Sequence, residues 1–172
     1  MTPEQATFLL NAIYMPQIER EYGTTRRVIE AVPADKTGWK PDPKSMGALQ
    51  LASHIASSDC FFMHGIADGK FDPGAHAVPE TVTTPADLLK WYDENFAKAK
   101  SRLAAAKPDA LAQDIDFFGV MVQPAITFAS FMVSHGVHHR GQLSTYLRPM
   151  GSKVPAIYGG SADEPMQMPA EA

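Results

Sequence analysis

The stretch Ser134-His135-Gly136-Val137-His138-His139-Arg140-Gly141-Gln142 lies within the longest run of helical apolar periodicity, from about Pro124 to Pro149. At about 100° per residue, one face of this predicted helix has aromatic residues at its ends and two histidines one turn apart at its centre. The aromatic residues indicate a core-facing position, where a buried imidazole needs a partner for its ring nitrogens. A divalent ion is one such partner, because i, i+4 spacing suits two ligands of one ion. The residues on this face are Phe128, Phe131, His135, His139, Gln142 and Tyr146.

The composition is that of a globular protein, and the 172 residues fit one domain over 1–172. A formal net charge of −4 argues against nucleic acid or an anionic membrane surface as a partner. The lone cysteine, Cys60, excludes an internal disulfide and favours a reducing compartment. The N-terminus has no pattern of a secretory signal, and no apolar run approaches the roughly 20 residues of a membrane helix. We therefore expect a cytoplasmic protein.

Start and stop signals predict four helices, and the absence of alternating strand patterns predicts an all-α four-helix bundle. Pro16 is expected to kink the first helix or to start a second helical segment. The segment Asp114–Val122 is either a short extended link or a turn, and the last eight or so residues are expected to be mobile. The predicted helices run from Thr2-Pro3 to Ala31, from Met46 (capped by Ser45) to about Ala67 with Gly69 closing it, from Thr84-Pro85 to about Ala106, and from Gln123-Pro124 to Gly151.

A third histidine, His54, lies in an apolar face of the second predicted helix. If the second and fourth helices are neighbours, His54, His135 and His139 can converge on one ion and leave coordination positions open. The alternative is that each imidazole is hydrogen-bonded to a hydroxyl or carbonyl group in the core. Two histidines on one helical face and a third in an apolar face favour the metal site.

Nearby polar residues receive other interpretations. Cys60 and His64 lie about 120° and 80° around the helix from His54, so neither is expected to face the same ion. By the same reasoning, His138 points away from His135 and His139. Arg140 is expected to form a structural salt bridge. Gln142 either orients a ligand histidine or a bound water, or is a satisfied core amide.

Two further residues lie in predicted loops. Trp39 either packs on the edge of the core or forms the roof of a pocket, and His76 lies in a flexible setting. In the motif His-Glu-x-x-His the glutamate acts as general base, but Gly136 occupies that position here, so protease-like hydrolysis is disfavoured. A Lewis acid with open positions would suit lowering the pKa of a bound water or thiol.

The segment His135–Leu143 resembles the H-x-x-H-H-R-G-Q signature of the DinB/YfiT-like superfamily, the DNA-damage-inducible helical-bundle proteins. Other stretches are similar to further parts of that family's sequence, so the likeness spans nearly the whole chain. They are Glu30–Lys36 with Trp39-Lys40-Pro41, Leu51–Ala56, and Val154–Asp163.

The resemblance implies an up-down-down-up bundle, often dimeric, with nickel or zinc held by three histidines, which by position are His54, His135 and His139. Relatives include S-transferases that use low-molecular-weight thiols such as bacillithiol or mycothiol, and a mycothiol-dependent maleylpyruvate isomerase. We therefore expect a homodimer that binds a divalent metal and transfers a small thiol to a small electrophilic substrate. The alternatives are a stress-associated protein that binds a metal or ligand without turnover, and a hydrolase that uses metal-bound water.

Overall fold

The computed structural model describes residues 1–166, and four long helices form its framework. A short helix and a hairpin of two antiparallel strands precede the last of these long helices, and a single turn of 3-10 helix leads into it. In chain order the elements are α1 (Pro3–Phe8), α2 (Met15–Glu30), α3 (Ala48–Asp68), α4 (Pro85–Ala104), α5 (Pro108–Ala112), β1 (Asp114–Phe117), β2 (Met121–Pro124) and α6 (Phe128–Leu147).

Ion pairs between helices give the direction of the first three long helices. Lys100, late in α4, pairs with Glu19, early in α2, so these helices are antiparallel. Arg102, at the end of α4, pairs with Asp68, at the end of α3, so α3 and α4 run in the same direction. The segment that joins α3 to α4 must therefore return along the whole length of the bundle.

Helix α6 completes the bundle beside α2 and α3. Just after α6, the hydroxyl of Ser152 donates a hydrogen bond of 2.6 Å to the carbonyl of Ala31, just after α2, so these two helices end at the same side. The order is up-down-down-up, and the all-α bundle expected from the sequence is confirmed. Helices α3 and α6 are neighbours, which is the condition for their histidines to meet.

Pro16 lies in the first turn of α2, where a second α-helical segment begins. The residues Leu9–Tyr14 form a π-helical segment that joins α1 to α2 without interruption. Proline lacks an N–H and its ring clashes with the carbonyl one turn earlier, and a wider turn accommodates both effects. Of the two outcomes predicted at this position, the start of a second helical segment is the one observed, since α2 begins at Met15 with Pro16 in its first turn.

Other boundaries shift by a few residues. Helix α3 begins after the N-cap Gly47 rather than after Ser45, and Gly69 closes it in the left-handed conformation (φ 68°), as predicted. Helix α6 begins at Phe128 because a 3-10 turn follows Pro124. Phe131, which was expected to face the core, is 40% exposed.

The segment with two possible interpretations is a β-hairpin. Phe117 pairs with Met121, and the turn between the strands places Phe118 and Gly119 at positive φ (55° and 72°). The carboxylate of Asp116 accepts a hydrogen bond of 2.9 Å from the N–H of Gly119, which supports this turn. The segment therefore contains both of the predicted alternatives, two extended strands and the turn that joins them.

Within the described residues, no helix combines the length and apolar character needed to cross a bilayer. The expectation about the last eight or so residues falls mostly on 167–172, outside the part of the chain that the structure describes.

Candidate metal centre

The structure brings His54 of α3 together with His135 and His139 of α6. One ring nitrogen from each imidazole lies within 4.8 Å of the others. The Nε2 atoms of His54 and His135 are 3.1 Å apart, and the ring centroids of His135 and His139 are separated by 4.4 Å. All three side chains are half-buried. The contact depends on α3 and α6 being antiparallel neighbours, since 81 positions separate His54 from His135.

The geometry of this cluster fits a divalent ion. Metal–nitrogen bonds of about 2.0–2.1 Å place two ligand nitrogens about 2.9–3.4 Å apart at octahedral or tetrahedral angles. The Nε2 separation of 3.1 Å between His54 and His135 lies in this range. The same separation also suits an N–H···N hydrogen bond between these two rings, but such a bond would not account for the ring nitrogen of His139, which lies within 4.8 Å of the other two.

The surroundings favour neutral imidazoles. Burial, followed by the neighbouring His139, His54 and His138, lowers the pKa of His135 to about 4. Burial and His139 also lower the pKa of His54. A neutral imidazole is the form that binds a metal ion, because its lone pair is then free.

Aromatic rings flank the cluster on two sides. The ring of Phe131 lies nearly parallel to that of His135, with centroids 6.4 Å apart, and Phe62 approaches the same imidazole at 6.1 Å. On the other side, Trp39 packs edge-on against Tyr146 at 5.3 Å. Trp39 therefore packs back on the bundle at the end of α6 that lies beyond His139.

The other candidate ligands lie elsewhere, as their angular positions predict. Cys60 is fully buried and His138 is exposed, and neither belongs to the cluster of three ring nitrogens. His64 stacks on His76 with centroids 3.9 Å apart and planes 5° from parallel. His64 and His76 therefore form a separate pair outside the cluster of three ring nitrogens.

Arg140 forms the structural salt bridge expected from the sequence, and it does so in the core. Its side chain is 2% exposed, and its Nη2 lies 2.5 Å from Oε2 of Glu21 on α2. Its Nη1 donates to Oγ1 of Thr25 at 3.0 Å, and its Nη2 also donates to the hydroxyl of Tyr158. This one guanidinium therefore ties α6 to α2 and to the C-terminal segment.

A buried acid next to the histidine helix escaped the sequence analysis. Asp59 on α3 is 9% exposed and accepts a hydrogen bond of 2.5 Å from the hydroxyl of Tyr92 on α4. Burial raises its pKa to about 7, although the Tyr92 hydrogen bond and the Arg140 charge act in the opposite direction. The available signal was an aspartate in the middle of an otherwise apolar helix. A Cβ on Gly136 would lie 3.6 Å from Oδ1 of Asp59, an ordinary van der Waals contact, so this carboxylate lies directly against α6.

Comparison with known sequences identifies relatives of the chain. The sequence model of the DinB family matches residues 10–170. The uncharacterised protein YjoA of Bacillus subtilis (strain 168) is 29% identical over 127 residues, which are 74% of this chain and 82% of YjoA. YrdA of the same organism is 37% identical over 54 residues, 31% of this chain and 32% of YrdA.

Comparison with solved structures gives the same fold. The crystal structure of YjoA has a TM-score of 0.68 at 24% identity, covering 83% of this chain and 94% of that one. A DinB-like protein from Bacillus cereus ATCC 10987 has a TM-score of 0.70 at 22% identity, covering 84% and 95%. A mutant of mycothiol-dependent maleylpyruvate isomerase has a TM-score of 0.50 at 12% identity, covering 90% of this chain and 65% of that one. These structures are alike in fold.

Proposed function

The chain belongs to the DinB family, and from this premise we propose that it is a divalent-metal protein that transfers a small thiol to an electrophilic substrate. The observation that carries the proposal is the convergence of three imidazole nitrogens within 4.8 Å. His54, His135 and His139 would hold the ion, with nickel or zinc as the candidates. When bound, the ion supplies a Lewis acid that favours the deprotonated form of a coordinated thiol or water.

The thiol must come from outside the chain. Cys60 is the single cysteine, it is fully buried, and burial raises its pKa to about 12. A thiol in that state is a poor nucleophile, because the thiolate is the reactive form. The maleylpyruvate isomerase with the same fold uses mycothiol, and this analogy favours a low-molecular-weight thiol here.

The rings beside the cluster favour an electrophile with apolar character. Phe131 lies against His135 and is 40% exposed, so its ring borders both the histidines and solvent. Phe118 at the hairpin turn, 49% exposed, adds an accessible aromatic surface near α3 through its contact with Phe61. In the proposed reaction the thiol loses its proton to solvent and its sulfur forms a bond to the electrophilic carbon of the substrate. The bond from that carbon to its leaving group breaks at the same centre, and the leaving group departs with the electron pair.

The experiment begins with protein purified without a polyhistidine tag. Elemental analysis should find nickel or zinc at about one ion per chain, and metal-loaded protein should turn over in a panel of small thiols and electrophiles. Replacement of His135 by Ala should abolish both properties. Turnover that persists in the His135→Ala variant would contradict the metal mechanism.

A second candidate function is metal or ligand binding without turnover. It is favoured by the composition of the cluster, since within the described residues no carboxylate or thiol joins the three imidazoles to act as a base or nucleophile. Tight metal binding without any affinity for thiols would support this alternative. Saturable thiol binding that requires the metal would support transfer, and thiol-independent turnover would indicate hydrolysis by metal-bound water.

A further inference from the structure

The amide of Gln142 connects one histidine of the cluster to an aromatic residue in the core. Its Oε1 lies 3.1 Å from Nδ1 of His139, and its Nε2 lies 3.4 Å from the hydroxyl of Tyr146. The three residues are spaced i, i+3 and i+7 on α6, so they follow one another along a single helical face. Tyr146 is 2% exposed and is held in turn by the edge of Trp39.

This contact selects one tautomer of His139. A carbonyl oxygen can only accept a hydrogen bond, so the Nδ1 that faces Oε1 of Gln142 must carry the proton. The lone pair of His139 then resides on Nε2, the nitrogen left free for the cluster. The reversed amide would donate to Nδ1 and leave the proton on Nε2, where it would block an ion.

The remote nitrogen of His135 has no such support. Its Nδ1 is buried and has no hydrogen-bond partner among the described residues. The hydrogen bond that His139 donates to Gln142 therefore gives His139 an orientation that His135 must derive from packing alone. Partners of this kind fix the ring plane and the tautomer of a metal-binding imidazole.

We propose that Gln142 is a positioning residue, which holds His139 as the Nδ1–H tautomer with Nε2 directed at the ion. The part of this inference that concerns the ion rests on the proposed function. The tautomer itself is a property of the metal-free protein, and it can be measured without an ion.

The test uses two variants of similar size in the full chain. Gln142→Met keeps the length of the side chain but removes the acceptor, and zinc affinity should fall by about 10- to 100-fold. Gln142→Glu keeps an acceptor oxygen for the same N–H, and affinity should remain within a few-fold of the natural protein or rise. Ser130→Ala, at an exposed position of α6, is the matched control and should bind zinc normally. Thermal unfolding of each metal-free variant separates lost folding from lost positioning.

Nitrogen-15 NMR of the metal-free protein supplies the second measurement. His139 should appear as the Nδ1–H tautomer in the natural protein and in Gln142→Glu, and should lose that preference in Gln142→Met. An Nε2–H tautomer in the natural protein, or unchanged zinc affinity in a folded Gln142→Met, would overturn the proposal. If the natural protein bound neither zinc nor nickel at micromolar concentration, the proposed function would fail, and the His139 tautomer in the natural protein and the two variants would still decide the role of Gln142.

Discussion

At the scale of single residues, loss of one histidine of the cluster should weaken zinc binding, and His138, a histidine outside the cluster, provides the control. His54→Ala should reduce zinc affinity by at least about 100-fold, because the ion loses its ligand from α3 and keeps only the two imidazoles of α6. His138→Ala should bind zinc normally, since His138 is exposed and lies outside the cluster. Competition with a chromophoric chelator measures both. Equal loss in the two variants would indicate an unspecific effect of removing a histidine.

The buried acid predicts an unusual pH dependence. The folded pKa of Asp59, about 7, lies above its ordinary value of 3.8, so folding favours the protonated form. Its contribution to stability is complete below about pH 4 and is lost as the pH rises through about 7, a change of up to about 4 kcal/mol. Asp59→Asn cannot ionise and keeps an acceptor for the hydroxyl of Tyr92. As the pH rises from 4.5 to 8, the free energy of unfolding should therefore fall in the natural protein but not in Asp59→Asn, so the difference between them should shift in favour of the variant.

Urea unfolding of metal-free protein at the two pH values measures this difference directly. Asp35→Asn is the control, because the side chain of Asp35 is 78% exposed. If Asp59→Asn followed the same pH profile as the natural protein, the carboxyl group of Asp59 would be ionised in the fold at both values.

At the scale of the helices, two glycines inside helices, one buried and one exposed, predict opposite results. A Cβ on Gly65 of α3 would lie 2.3 Å from the ring of Phe71, which should lower the free energy of unfolding by about 1–3 kcal/mol. A Cβ on Gly141 of α6 would meet nothing within 4 Å, so Gly141→Ala should raise it by about 0.5–1 kcal/mol through helix propensity. Chemical unfolding checks both, and a stabilised Gly65→Ala would show that Phe71 moves aside easily.

The contact between α6 and α2 predicts a larger effect. Arg140→Met removes the partner of Glu21, whose side chain is 18% exposed, and should cost about 3–5 kcal/mol because an unpaired charge remains largely buried. Arg148→Met also removes an ion pair, with Asp163, but Arg148 is 54% exposed and the cost should stay below about 1 kcal/mol. Similar losses in both variants would argue against a special role for the buried guanidinium.

Local signals predicted the elements better than the junctions between them. Gly69 ends α3 as expected, because the end of a helix at a left-handed glycine depends only on residues in its last turn. The π-helical segment before Pro16 formed because the bundle could accommodate a wider turn there. The hairpin at Asp114–Pro124 depended on strand pairing and on the contacts of Phe117 with Phe71 and Phe128. Such outcomes are set by tertiary packing, which overrides local preference.

The candidate metal centre shows the same difference between what local sequence signals predict and what tertiary packing decides. The spacing of His135 and His139 places both on one face, whereas His54 could be added only on the condition that α3 and α6 are neighbours. Asp59 was missed because its partner, Tyr92, lies 33 positions away on another helix. A sequence shows which groups can ionise, but burial decides which of them have shifted pKa values.

At the scale of the whole molecule, an ion held between α3 and α6 should stabilise the bundle. Zinc at 100 times its dissociation constant should add about 2.7 kcal/mol to the free energy of unfolding, because only the folded chain brings the three ligands together. His54→Ala should lose this gain. Thermal unfolding with and without zinc provides the measurement, and a zinc effect of equal size in the variant would place the ion elsewhere.

Self-association is a separate prediction at this scale. We expect a homodimer on the basis of family likeness, and sedimentation at micromolar concentration tests it. A monomer under those conditions would contradict the expectation.

The separation of 81 positions between His54 and His135 also has a consequence for biosynthesis. A growing polypeptide exposes its first histidine long before the other two emerge from the ribosome, and no fragment that stops short of α6 contains the full set. Under the proposed function, capture of an ion must therefore follow the docking of α6 against α3, late in the maturation of the protein. A bound ion would then mark a chain in which these two helices have already packed together.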